Sequence, residues 1–207
     1  MPRSLHAVFA VTVIAFLVAA PWWYRHEHER NYRGFHVVEP GVLYRAGQFD
    51  LDGLKRVVRD HGIRTIVSLR DGDTALDQDE VDWAPTAGIK HFRIPPRPWW
   101  SADGSIPAEQ GLAVFREVMA DPGNYPVLIH CFAGIHRTGI YCAVYRMDVQ
   151  GWSNHDAITE MRTMGYVTLD GECGDRDVRE YLEHYKPIPP LPPANQARPL
   201  TRPPIPQ

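Results

Sequence analysis

The stretch VLIHCFAGIHRTG, Val127 to Gly139, decides how the rest of the chain is read. Val127-Leu128-Ile129 is a short apolar run of the kind a fully buried strand shows. A helical pattern starts near Thr138, runs to Val149 and meets Gly151 as its stop. A strand that passes through a short loop into a helix aims several backbone N–H groups into one hollow. The helix adds the positive end of its dipole, and the result is an anion cradle. Gly134 lets the loop turn tightly and lets the backbone approach a ligand. Arg137 carries a planar fork that can hold two phosphate oxygens at once.

Cys131 stands at the start of this hollow. The field that attracts an anion also favours thiolate over thiol, and a thiolate can take a phosphoryl group covalently. The backbone of Phe132, Ala133, Gly134, Ile135, His136 and Arg137 would hold the phosphate oxygens. Thr138 can donate its hydroxyl to the sulfur and make it a better leaving group. His130 and Gly139 flank the loop as supports, His130 through a local hydrogen bond. The bland reading takes Cys131 as a small core residue and Arg137 as a helix-end cation. It leaves the combination of Gly134, Arg137 and Thr138 unexplained.

Outward from the loop, residues 31–186 alternate between strands and helices. Strands are expected at His36–Val38, Val42–Arg45, Thr65–Leu69, His91–Ile94 and Val127–His130. Asp50 can cap a helix that Gly62 stops. A weaker helix spans about Gln78 to Ala87, shortened by Pro85. Another starts near Pro107. Helices at Thr138–Val149, Asn154–Met164 (capped by Ser153) and about Asp175–Tyr185 follow. This pattern implies an α/β sandwich with a central, mostly parallel sheet flanked by helices.

The motif His130-Cys131, five residues, Arg137-Thr138-Gly139 resembles the signature of the cysteine-dependent protein tyrosine phosphatase superfamily. Asn31–Phe35 (NYRGF), Val42–Gln48 (VLYRAGQ) and Gly62–Arg70 (GIRTIVSLR) look like its compact dual-specificity branch from bacteria, fungi and plants. Gly151–Met161 (GWSNHDAITEM) resembles the helix placed behind the loop. The resemblance covers about residues 31 to 185. It implies a phosphatase-like sandwich and hydrolysis through a phosphocysteine, with no metal and no cofactor. It also implies an aspartate, on a mobile loop ahead of the cysteine, that protonates the leaving oxygen. Asp103, 28 residues before Cys131 in RPWWSADGSIP, fits that place, with Gly104 as a hinge. The alternative for Asp103 is a turn residue of an Asp-Gly step. Glu109, Asp121, Asp71 and Asp73 are weaker rivals.

Relatives that act on inositol phosphates or phosphoinositides carry extra basic residues among the loop's variable positions. Here these are Phe132, Ala133, Ile135 and His136, which offer a polyanion little added attraction. The preferred substrate class is phosphotyrosine, extending to phosphoserine and phosphothreonine, in a phosphorylated protein. The alternatives are an inositol phosphate or phosphoinositide phosphatase and a phospho-ligand-binding module without turnover. Trp99 and Trp100 flank Asp103 and either line the entrance or pack under the loop. Cys142 reads as core; it or Cys173 could pair with Cys131 in a redox switch.

The two ends lie outside the resemblance. Ala7 to Tyr24 holds no charge, and its 18 residues would reach about 27 Å as a helix, near the thickness of a bilayer's apolar core. Trp22, Trp23 and Tyr24 suit the interface. Residues 1–30 therefore read as a single-pass membrane anchor with its linker; the rival is a cleaved signal peptide, with Val18-Ala19-Ala20 as its cleavage pattern and export as its consequence. Residues 187–207 hold nine prolines in 21 positions and read as a polyproline-like tail, a spacer or a ligand for a partner's aromatic groove. The 207-residue chain has a net charge of −3. That balance lacks the basic surplus of a dedicated nucleic-acid binder. Three cysteines are too few for a disulfide framework.

Overall fold

In a computed structural model the described residues are 33–167 and 173–188, with six positions between 13 and 21; for 173–176 only the backbone is described. The strands are β1 (His36–Glu39), β2 (Leu43–Gly47), β3 (Thr65–Ser68), β4 (Lys90–Arg93) and β5 (Val127–Cys131). They form one sheet in the order β1-β2-β5-β3-β4. β1 and β2 pair antiparallel, as the Glu39-Pro40-Gly41 turn requires, and the other three pairings are parallel. β5 is the central strand. Leu128 sits opposite both Tyr44 and Ile66, and every residue of β5 is buried.

The helices are α1 (Leu51–His61), α2 (Ala75–Thr86), α3 (Ala108–Ala120), α4 (His136–Gln150), α5 (Asn154–Thr163) and α6 (Cys173–Glu183). Alternation along the strands splits the core in two. Leu43, Val67, Val127 and Ile129 face α3, α4, α5 and α6 through Phe115, Val144, Ile158 and Leu182. Tyr44, Ala46, Ile66 and Leu128 face α1 and α2 through Leu54, Val57 and Ala84. The expected sandwich with a mostly parallel sheet is what the chain forms.

Local chemistry sets the helix ends. Asp50 accepts from Gly53 N–H at 2.8 Å to start α1, and Gly62, at φ 63°, closes it. Ser153 caps α5. Two expectations need correction. α2 starts at Ala75, not Gln78, because Thr74 and Asp77 form a reciprocal cap; Pro85 is accommodated in its last turn. α4 starts at His136, two residues earlier than expected, which places Arg137 in its first turn.

Within the expected anchor, Val13, Phe16, Leu17, Ala19, Ala20 and Pro21 are described and helical. The rest of that span lies outside the described residues, as does the proline-rich tail after Ile188. Among the described residues no helix is long and apolar enough to cross a membrane.

Candidate active site

β2, β5 and β3 run parallel, so their carboxyl ends share one edge of the sheet, where loops form crevices. Cys131 ends β5 there and is buried. The Gly134 N–H points at its sulfur at 3.3 Å. The loop carbonyls are tied elsewhere. Phe132 O accepts from Gln48 N–H at 3.0 Å. Gly134 O and Ile135 O accept from Arg45 Nη2 at 2.7 and 3.5 Å. In a trans peptide the carbonyl and the following N–H point opposite ways. Binding these carbonyls outward therefore turns the Ala133, Ile135 and His136 N–H groups toward the hollow.

Arg45 is a buried guanidinium, 2% exposed, that sequence reading had given no role. Its signal was an arginine inside an otherwise apolar strand. The backbone around the loop leaves no room for larger residues. Gly134 has φ 73°, and a Cβ there would lie 2.5 Å from Ala46 C and Gly47 N. At Gly47 a Cβ would meet the Phe132 and Ala133 carbonyl oxygens at 3.1 Å. At Gly139 it would meet Met161 Cγ of α5 at 2.9 Å, which explains the small residue behind the loop.

Arg137 is half-exposed at the mouth. Its Nη1 donates to Leu69 O at 3.1 Å and meets Asp71 Oδ2 at 3.4 Å. Asp71 is thus the carboxylate beside the guanidinium. Asp103 lies on the loop joining β4 to α3, which leaves the same sheet edge. Its exposed carboxylate accepts from Ser105 N–H at 3.0 Å and Ser105 Oγ at 2.7 Å. These bonds hold its carboxyl below the usual carboxylate range. The structure therefore shows the Asp-Gly turn geometry, with Gly104 at φ 79°, and brings Asp71 rather than Asp103 to Arg137. Trp99 packs on Tyr181 at 5.0 Å and lines a cavity of about 220 Å³ beside Arg137, while Trp100 stays exposed.

His130 does not bond locally. Its Nε2 reaches the Glu80 carboxylate of α2 at 3.1 Å, and His91 Nε2 of β4 reaches the same group at 2.8 Å. Burial pushes the Glu80 carboxyl up, but the two histidines outweigh it and bring it down to about 2. Thr138 is fully buried, and its hydroxyl has no hydrogen-bond partner among the described residues, so it is not committed to another group. His136 rests edge-on against Tyr166 at 5.0 Å. Cys142 is a free, buried thiol of α4, pushed up to about 11 by burial, an inert state for a redox partner. The Cys173 side chain lies outside the described residues.

A buried strand thus delivers Cys131 into inward-turned amides, with Arg137 in the first turn of the helix that follows. The chain belongs to the tyrosine phosphatase family, whose model matches residues 32–197. The dual specificity protein phosphatase TpbA of Pseudomonas aeruginosa is 35% identical over 120 residues, 58% of this chain and 49% of that protein. The chain thus spans about half the length of that curated relative. The crystal structure of P. aeruginosa TpbA superposes with a TM-score of 0.57 at 27% identity, covering 74% of this chain and 85% of that one. A cysteine-to-serine form of TpbA in complex with pTyr gives 0.56 at 27% identity, with 73% and 84% covered. The core catalytic domain of the PP-IP phosphatase SIW14 from S. cerevisiae shares the fold, with a TM-score of 0.57 at 24% identity and 74% and 85% covered.

Proposed function

We propose that the chain is a metal-independent phosphomonoester hydrolase acting on phosphotyrosine in proteins, extending to phosphoserine and phosphothreonine, through a phosphocysteine. Cys131 attacks phosphorus in line; the S–P bond forms as the ester P–O bond breaks. Arg137 and the loop amides hold the three remaining oxygens. Asp103 gives a proton to the departing oxygen, then takes one from the water that attacks the phosphocysteine. The Thr138 hydroxyl stabilises the sulfur as it leaves. The pTyr complex of TpbA supports the substrate class. The domain is carried, in this reading, by Ala7–Tyr24 as a single-pass anchor, and the proline-rich tail is its extension.

The observation that carries the reading is the Gly134 N–H on the Cys131 sulfur, in a loop whose carbonyls are drawn outward. Vanadate-sensitive hydrolysis of an aryl phosphate tests it. Cys131→Ser should lose turnover by at least about a thousandfold while still binding a phosphotyrosine peptide. Hydrolysis that persists in this variant would reject the assignment.

A further inference from the structure

We infer that Arg33, stacked beside Arg70 on the ring of Phe132, forms a second anion-binding subsite beside the loop, which selects phosphotyrosine in acidic stretches of a protein; this rests on the function proposed above. The loop's own sequence promised little positive charge beyond Arg137. The fold brings two arginines to it from other segments, and Arg33 is the one left without a carboxylate among the described residues. Arg33 Cζ lies 4.5 Å from the Phe132 ring centroid, and Arg70 Cζ lies 5.4 Å from it. Phe132 follows Cys131 directly, and half of its side chain is exposed.

Both cations are built into place. Arg33 O accepts from Gly47 N–H at 2.7 Å. Gly34, at φ 60°, presses the same segment so close to the loop that a Cβ would lie 3.3 Å from Ala133 O. Arg70 is held by Asp77, through Nε at 3.2 Å and Nη2 at 3.5 Å. Asp77 also takes Gln48 Nε2 at 2.6 Å, and the Gln48 N–H holds Phe132 O.

Asp77 balances Arg70 and Asp71 balances Arg137, whereas no carboxylate among the described residues pairs with Arg33. A guanidinium stacked on a ring spends its face and keeps its edge N–H groups for an anion. The cations border an apolar ring instead of converging in the hollow. That suits a peptide, with its phosphotyrosine in the hollow and a neighbouring carboxylate on the rim, better than a compact polyphosphate.

The test compares two phosphotyrosine peptides on the full chain, identical except that glutamates flanking the phosphotyrosine in one are glutamines in the other. The acidic peptide should have a kcat/KM about fivefold higher at low salt, through KM. Arg33→Gln should bring the ratio near one, as should about 0.5 M salt on the unaltered chain; Arg33→Lys should keep part of it. A ratio of one in the unaltered chain, or one that neither change moves, overturns the subsite. If Arg33→Gln does not fold, the salt series decides. Inositol hexakisphosphate as a strong competitor, with no acidic-peptide preference, also overturns it, in favour of a soluble polyphosphate. Absence of turnover on both peptides and on an aryl phosphate rejects the phosphatase reading instead. Titration of the two peptides then decides the subsite: an acidic preference that Arg33→Gln removes sustains it, and equal binding overturns it.

Discussion

Arg137 shows how one side chain can be both fixed and available. Its Nη1 is occupied by Leu69 O and Asp71, which orients the plane and leaves Nε and Nη2 for phosphate. Asp103 is the proposed proton donor and Asp71 its rival, and a change at Ser105 tells them apart. Ser105 stabilises the Asp103 carboxylate, and a proton donor must be protonated at the working pH. Ser105→Ala removes the hydroxyl's bond and keeps the N–H one, so the pKa of Asp103 should rise part of the way and the basic limb of kcat should move to higher pH. If that limb stays put and Asp71→Asn moves it, the acid is Asp71. Gly134 yields a second prediction at this scale. Gly134→Ala must hold a side chain at φ 73° and push a Cβ into the backbone of Ala46 and Gly47 at 2.5 Å. A loss of about 2 kcal/mol or more is expected in denaturant melts, with activity lost as well; unchanged stability would contradict the tight seat of the loop on β2.

Between elements, the buried Glu80 of α2 ties His130 of β5 to His91 of β4. Its carboxyl is lowered to about 2 from an ordinary 4.5. A depressed carboxylate adds stability that is present above about pH 4.5 and is lost as the pH falls toward 2. Glu80→Gln should lower stability at neutral pH by on the order of 2–3 kcal/mol and flatten the acid limb relative to the unaltered chain. Urea melts at pH 7, 4 and 3 check this; parallel curves for the two proteins would contradict it. Links of this kind mark where sequence reading stopped. The path from β5 through the loop to α4, the cap of Asp50 and the stop at Gly62 are local, and neighbouring residues announce them. Arg45, Glu80 and Asp71 act across 89, 50 and 66 positions of chain, and no spacing rule reports such pairings. The early start of α2 was legible in Thr74-x-x-Asp77, a capping pattern overlooked because Asp replaces the usual Glu or Gln.

At the scale of the molecule, the sheet sets the site. Parallel β2, β5 and β3 bring their carboxyl ends to one edge, and segments as distant as Arg33, Arg70 and Asp103 reach it only because the strand order places β5 between β2 and β3. The proposed anchor belongs to this scale. Expressed as the full chain, the protein should sediment with membranes and resist alkaline extraction, whereas residues 31–186 alone should not; a full chain released by alkali, or trimmed after Ala20, would contradict an anchor. The central claim is the covalent intermediate. Rapid acid quenching of the full chain turning over a phosphotyrosine peptide, followed by mass spectrometry, tests it most directly. The account predicts one phosphoryl group on the segment containing Cys131, absent from Cys131→Ser. Steady turnover with no phosphorylated cysteine, or with the phosphoryl group on another residue, would contradict it.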